Sequence, residues 1–319
     1  MLTRIRRGAT NRRGVLVDGE IYADKTKKCF VLMMEGVAYE FTPDVSLSNV
    51  YYAIQDTETY YDDFYELNYR EYADGTVSIY NTIQAAIDAT MANRGDQVIV
   101  VGEWAITTPI LLNKWGTTLR GATDWNNEMG GGNSNITCTG DAVSVINVTK
   151  AKTHIENLVL YMNGTGTTKG IEYSSAAPSQ SLVRNVAIIK NDGDDAEGQG
   201  IKFTTVPTRS TFSNIFISGN TTGTKKLNQG ILGASYSCLF KDITIGRTAY
   251  QAIYNVGSSN DKYEKITVLP SCSVGTEIGG VDAASSAMID SRIMAATPGV
   301  SSLAISQCFT TGTTAYTGT

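Results

Sequence analysis

Histidine is nearly absent: His154 is the one such residue among 319. That argues against a multi-histidine metal site and against a His-dependent catalytic triad. The five cysteines stand at 29, 138, 238, 272 and 308. Their number is odd, their spacing is wide and no CxxC pair occurs, so neither zinc nor redox chemistry is indicated. They are expected to be reduced, apolar core residues. No metal and no cofactor is expected. Charged residues make up only 18%, and no apolar run approaches the roughly 18 residues of a membrane span. The opening "MLTRIRRGATNRRG" lacks the apolar stretch of a secretory signal, so synthesis is expected in a cytoplasm without Sec export.

What is abundant points elsewhere. There are 31 glycines, with many Thr, Ser, Asn and β-branched residues, a composition that favours an all-β fold. A phrase recurs: "IENLVLYM", "VRNVAIIK", "FSNIFISG", "FKDITIGR" and "YEKITVLP". Its marker residues are Asn157, Asn185, Asn214, Asp242 and Lys265, at steps of 28, 29, 28 and 23. Between them runs a second phrase, "KGIEYSS", "QGIKFTT", "QGILGAS" and "QAIYNVG". Its column is Ile171, Ile201, Ile231 and Ile253, at steps of 30, 30 and 22. After each marker, apolar residues alternate with period two, which is a strand with one buried face. Repeats of roughly 20–50 residues signal a solenoid or propeller. Units of 22–30 residues hold two or three short strands, one rung of a parallel β-helix. The Ile column then becomes an internal stack.

The Asn column has two readings. A corner between sheets needs a left-handed backbone, which Asn tolerates, and stacked amides can bond to one another. A row of Asn can also bind sugar hydroxyls. An open end of such a stack needs a cap. "YNTIQAAIDATMANRGDQVIVVGEW" supplies one: Ile83, Ala86, Ile87 and Thr90 share a helix face, with Asn81 or Thr82 as N-cap. A Gly-Asp turn and a strand over Val98–Val101 follow.

This helix, the Gly-Asp turn, "VIVVGEW" and "PILLNKWGTTLRGA" together resemble the opening of pectate-lyase-like right-handed β-helix proteins, over about residues 77–270. The resemblance implies an all-β, right-handed parallel β-helix with a short N-terminal capping helix. Residues 77–319 are assigned to it, with rungs clearest over 98–270. "VGEWA" replaces the usual "PPGTY" after the first strand. The fold hosts lyases, hydrolases and non-enzymatic viral spikes, so function does not follow from it.

Residues 1–76 lack the rung pattern and read as an arm followed by a small β-rich attachment region. The arm holds Arg4, Arg6, Arg7, Arg12 and Arg13 before any acid. It carries +5 against a chain total of −5, so the remainder carries −10. That asymmetry suggests docking on an acidic protein partner or a neighbouring copy. The arm is short and no nucleic-acid-binding fold accompanies it, so no nucleic-acid partner is expected. Tyr60, Tyr61 and Tyr65 lie in a segment dense in Tyr and acids. The composition suits an interface; the plainer reading is a small domain with Tyr half-buried on its surface.

The best acidic cluster is Asp192, Asp194, Asp195 and Glu197, between two rung strands. Such carboxylates can serve glycoside hydrolysis or hold an ion, but solvated turn loops share this composition. Two functions remain. One is a structural virion protein of a tailed phage, whose spikes and capsid decoration proteins resemble this plan. It implies a homotrimer attached through its N-terminal region to the major capsid protein or another virion protein, in a virion assembled in the bacterial cytoplasm. The alternative is a tailspike-like depolymerase acting on host surface glycan.

Overall fold

The computed structural model describes residues 48–122, 134–175, 179–191, 198–219, 227–255, 258–269 and 289–291 with their side chains, and elsewhere only the backbone of individual strands. The chain divides into two compact units, Met1–Leu47 and Ser48–Thr319. The first holds β1 (Ile5–Gly8), β2 (Ile21–Asp24), β3 (Cys29–Met34) and β4 (Val37–Phe41) in one four-stranded sheet, in that order. β1 runs parallel to β2, and the remaining pairs are antiparallel.

The boundary at 47/48 differs from the expected one at 76/77. The reason is β5 (Val50–Ala53), which pairs in parallel with β7 (Gln97–Val100) and buries Tyr51 and Ala53. Between them lie α1 (Tyr61–Asn68), β6 (Ile79–Tyr80) and α2 (Ile83–Ala89). Next come β8 (Gly102–Ile106), β9 (Ile110–Leu112), β10 (Thr118–Gly121) and β11 (Ser134–Cys138).

From there strands alternate between two long parallel sheets. The smaller sheet takes β12 (Ser144–Val148), β14 (Lys169–Tyr173), β16 (Gln199–Phe203), β18 (Gln229–Leu232), β20 (Ile253–Tyr254) and β22 (Ile278–Gly279). The larger takes β13 (His154–Met162), β15 (Leu182–Lys190), β17 (Thr211–Gly219), β19 (Leu239–Gly246) and β21 (Lys262–Val268). Each strand pairs with the one two places later, so the described chain is mostly β and consistent with a solenoid.

Register carries the stack. Ile110, Ile146, Ile171, Ile201, Ile231, Ile253 and Ile278 stand in one row across the smaller sheet. The first six are at most 3% exposed. Fully burying each such side chain contributes about 1.5–3 kcal/mol. Opposite them Phe212, Phe240 and Tyr263 stack face to face, with centroids 5.0 and 4.9 Å apart and planes within 9°. That spacing matches the roughly 4.8 Å between neighbouring strands, so the rings stack without distorting the sheet.

The N-terminal end is closed by α2. Thr82 is its N-cap, accepting from the Ala85 N–H at 3.1 Å, and Ile83, Ala86, Ile87 and Thr90 are buried. Gln84 covers the open edge of β9: its Oε1 accepts from the Leu111 N–H at 2.8 Å and its Nε2 donates to the Leu111 carbonyl at 3.3 Å. The Gly-Asp turn has its own task. Asp96, fully buried, accepts from the backbone N–H of Asn49 and of Met91, both at 2.8 Å, and pairs with Arg94. Arg94 in turn donates to the Tyr51 hydroxyl at 2.6 Å.

The "GI" phrase also has a packing cause. A Cβ on Gly230 would lie 2.7 Å from Ile245 Cγ2 and 2.5 Å from the Ala252 carbonyl. Gly170 and Gly200 meet Ile188 and Ile217 in the same way. Ala252 takes this place in the last clear rung, whose larger-sheet strand carries Val268 in register with Ile245. Gly230→Ala should therefore lower unfolding stability by about 1–3 kcal/mol through overpacking, measured in urea. Ala252→Gly should cost no more than about 1 kcal/mol. Equal responses at the two sites would mean that the column imposes no such steric limit.

Candidate functional site

The marker column turns the chain. Asn157, Asn185, Asn214, Asp242 and Lys265 have φ of 57°, 55°, 49°, 51° and 52°. Five residues earlier in each rung, Lys152, Gln180, Arg209, Ser237 and Asn260 have φ between 51° and 57°. Each left-handed non-glycine residue costs about 1–2 kcal/mol, least for Asn and Asp. The Asn amides return part of it. Asn185 Nδ2 donates to Asn157 Oδ1 at 3.0 Å, and Asn214 Nδ2 donates to Asn185 Oδ1 at 2.9 Å. Asn185 is thus engaged on both sides by its own ladder.

Of the other residues singled out, Asp192, Asp194, Asp195 and Glu197 lie outside the described residues, as do Arg4, Arg12 and Arg13. Arg6 and Arg7 belong to the backbone of β1, opposite Tyr22 and Ala23. Cys138 and Cys238 are buried free thiols. Burial pushes both thiols up, Cys238 to about 12, so neither is a ready nucleophile. Among the described residues no group of three or more His, Cys, Asp or Glu is placed to hold a metal ion.

The Tyr-rich segment forms a surface on and beside α1. The helix seats itself through Phe64, whose ring meets Tyr52 edge-on at 5.1 Å, beside a small core of Ile54, Ile79 and Val101. Tyr61, Tyr65 and Tyr69, four residues apart, form a row. Tyr61 and Tyr65 have centroids 5.7 Å apart, and Tyr65 stacks on Tyr69 at 4.8 Å. Tyr60, Tyr65 and Tyr69 are 37–42% exposed. Burial first, then the Glu58 carboxylate, holds the Tyr60 phenol above its ordinary range. Tyr61 is raised by burial, then by Tyr65, Asp56 and Asp62. These phenols stay neutral throughout the physiological range.

A cleft of about 530 Å³ opens beside the cap, lined by Gln55, Asp56, Asn81, Trp104, Thr107 and Pro109 among others. Asp56 is the one ionisable group in the lining. The cleft therefore lacks the two facing carboxylates that glycoside hydrolysis uses.

No family model matches the chain, and no curated protein matches it. Among solved structures it is similar to ORF18 of Geobacillus virus E2, at 11% identity and a TM-score of 0.37, over 97% of this chain and 74% of that one. A likeness this distant carries no argument about role.

One buried polar cluster escaped the sequence reading. Thr153, Ser181, Ser210, Cys238 and Asp261 occupy the same rung position, each at most 3% exposed. The Thr153 and Ser181 hydroxyls bond to each other at 3.3 Å and Ser210 Oγ accepts from the Ser181 N–H at 3.1 Å; the thiol of Cys238 and then the carboxylate of Asp261 follow in the same position. Its carboxylate accepts from the Ser235 hydroxyl and from the Cys238 N–H, both at 2.7 Å. Asn255 Nδ2 donates to the Ser235 hydroxyl at 2.7 Å and to the Tyr263 hydroxyl at 2.6 Å. Burial, acting against those bonds, raises the Asp261 carboxyl above its ordinary range. No signal marks Asp261 in the sequence, since the position holds Thr, Ser, Ser and Cys in the preceding rungs without a fixed residue type.

Two tests follow from these columns. Asn185→Ala should cost about 1–3 kcal/mol, losing both the left-handed tolerance and the ladder bonds. Asn185→Gly, which keeps the backbone freedom, should cost less in the same urea titration. An alanine variant as stable as wild type would remove the corner from the account. For Asp261 the raised folded-state value means that stability is lost as pH rises from about 3.9 through that value. Asp261→Asn should thus raise the melting temperature relative to wild type more at pH 7 than at pH 4. An equal shift at both would place the titrating group elsewhere.

Proposed function

We propose that this chain is a structural protein of a tailed-phage virion, a capsid decoration protein or short spike. In this reading Ser48–Thr319 forms a right-handed parallel β-helix, and the N-terminal unit attaches it to the major capsid protein or another virion protein. Three copies assemble as a homotrimer. The observation that carries the reading is the division of the chain at Leu47/Ser48 into a small β unit and a long in-register stack. In that stack the repeated side chains bind one another: Ile to Ile, ring to ring, Asn to Asn. Repetition spent in this way makes a stiff support, with recognition left to the non-repeating parts. The link to phage spikes and decoration proteins is an analogy of plan, a small attachment part followed by a pectate-lyase-like stack.

The test is incorporation. Chains lacking residues 1–47 should keep the melting transition of the stack and yet be absent from purified particles. Normal incorporation of the truncated chain would remove the attachment role. Incubating the intact protein with host capsular polysaccharide or lipopolysaccharide should release no oligosaccharide. Release would replace the structural reading with the depolymerase one.

A further inference from the structure

The row of phenol rings on α1 has a second property, its charge. Residues 55–74 carry seven acids (Asp56, Glu58, Asp62, Asp63, Glu66, Glu71 and Asp74) against one base, Arg70. Asp62, Asp63 and Glu66 are exposed on the helix that bears the rings. Among the described residues, none of these three makes an ion pair. Asp62 and Asp63 suit the positive end of the helix dipole, and the Tyr65 ring meets Tyr61 and Tyr69 at i,i+4 spacing, but Glu66 and the exposed surface of the rings serve no such purpose within the helix. Leu67 beside them is 82% exposed. Exposed aromatic rings, beside carboxylates that make no ion pair among the described residues, suit guanidinium groups, which can take the outer face of the row. Arginine stacks on a ring and forks onto a carboxylate at once; lysine, a hydrated point charge, does the second and not the first.

We infer that the Tyr61–Tyr65–Tyr69 face of α1, with Asp62 and Glu66, docks the arginine side chains of residues 1–13 of a second copy of this chain, with the strand Ile5–Gly8 of that copy remaining paired to its own β2. The argument for that occupant is complementarity. The segment carries five arginines and no acid, against a surface of net −6 over twenty residues. Its "RIRRG" and "NRR" runs use arginine throughout and lysine nowhere, the choice that ring stacking favours. The inference rests on the homo-oligomeric part of the proposed function and not on the virion location.

The experiment uses the full chain with Arg4, Arg6, Arg7, Arg12 and Arg13 all changed to Gln, so that no neighbouring copy's segment competes for the surface. A fluorescein-labelled peptide of residues 1–13 is titrated against it by fluorescence anisotropy at moderate and high salt. Binding is expected, and it should weaken with salt. The same peptide with lysine at the five positions should bind about fivefold or more weakly, the equivalent of one exposed stacking contact. Tyr65→Ala with Tyr69→Ala should reduce affinity about tenfold or more, whereas Tyr65→Phe, which keeps the ring, should change it little. Circular dichroism melting confirms that each variant is folded. In parallel, light scattering should show self-association of the wild-type chain that the five-Gln chain has lost.

Absence of peptide binding would overturn the inference, as would equal binding of the lysine peptide with no response to the Tyr substitutions. A wild-type chain that is monomeric while its surface binds the peptide would assign the face to a foreign arginine-rich protein and reject the second copy. If the peptide binds as expected but no particle contains the chain, the virion reading fails and this inference stands. If particles incorporate the chain and the peptide does not bind, the reverse holds.

Discussion

Parallel, in-register stacking is the constraint on which the rest of this structure depends. Once strands pair with the strand two places on, every residue acquires the same position in the next rung as its neighbour, about 4.8 Å away. A side chain suited to that position must then suit its own copy. Isoleucine, flat aromatic rings and Asn amides all do: the first nests, the second stacks, the third donates on one side and accepts on the other. Phe212, Phe240 and Tyr263 show the match most directly, since their centroid spacings of 5.0 and 4.9 Å leave ring stacking and strand pairing in agreement.

The same constraint explains where columns change. Gly170, Gly200 and Gly230 keep the backbone bare because a branched Ile of the facing sheet fills the space. The left-handed corners recur at both ends of a short straight piece, so the bend is set by backbone geometry and tolerated by whatever side chain follows. Toward the end of the described stack the corner passes from Asn to Asp242 and Lys265, and the buried hydroxyl column gives way to Cys238 and Asp261. The amide ladder runs over Asn157, Asn185 and Asn214, and the marker becomes Asp242 one step before the repeat shortens from 28 to 23 residues. At the opposite end Gln84 and Asp96 satisfy backbone groups that no further rung would reach, which is how the stack stops without an open edge.

A stack that uses its repeated side chains on itself has little left for recognition. The non-repeating parts lie outside that pattern: the four-stranded N-terminal unit, the cleft beside α2, and the acidic, tyrosine-faced α1. This division separates a stack stabilised by burial from surfaces whose chemistry is set by exposed rings and charge.

Periodicity determined much by itself. Columns led by Asn157 and Ile171 announced parallel strands, the cap was legible from the spacing of Ile83, Ala86 and Ile87, and Thr82 was among its N-caps. Ile110 and Ile146 were missed because the chain between successive rungs there departs from the regular step, and register ignores loop length. The division at 47/48 was not legible because β5 reaches the main sheet without any repeat to mark it, through a long-range pairing of Tyr51 with Val98, 47 residues on. Only the tertiary structure decided that Asp96 anchors the cap, that Asp261 is buried beside Cys238, and that Tyr61, Tyr65 and Tyr69 form one row while Phe64 and part of Tyr61 pack against Ile54, Ile79 and Val101. Those facts depend on which atoms meet across rungs and around a short helix, and a linear sequence records spacing along the chain, not distance across it.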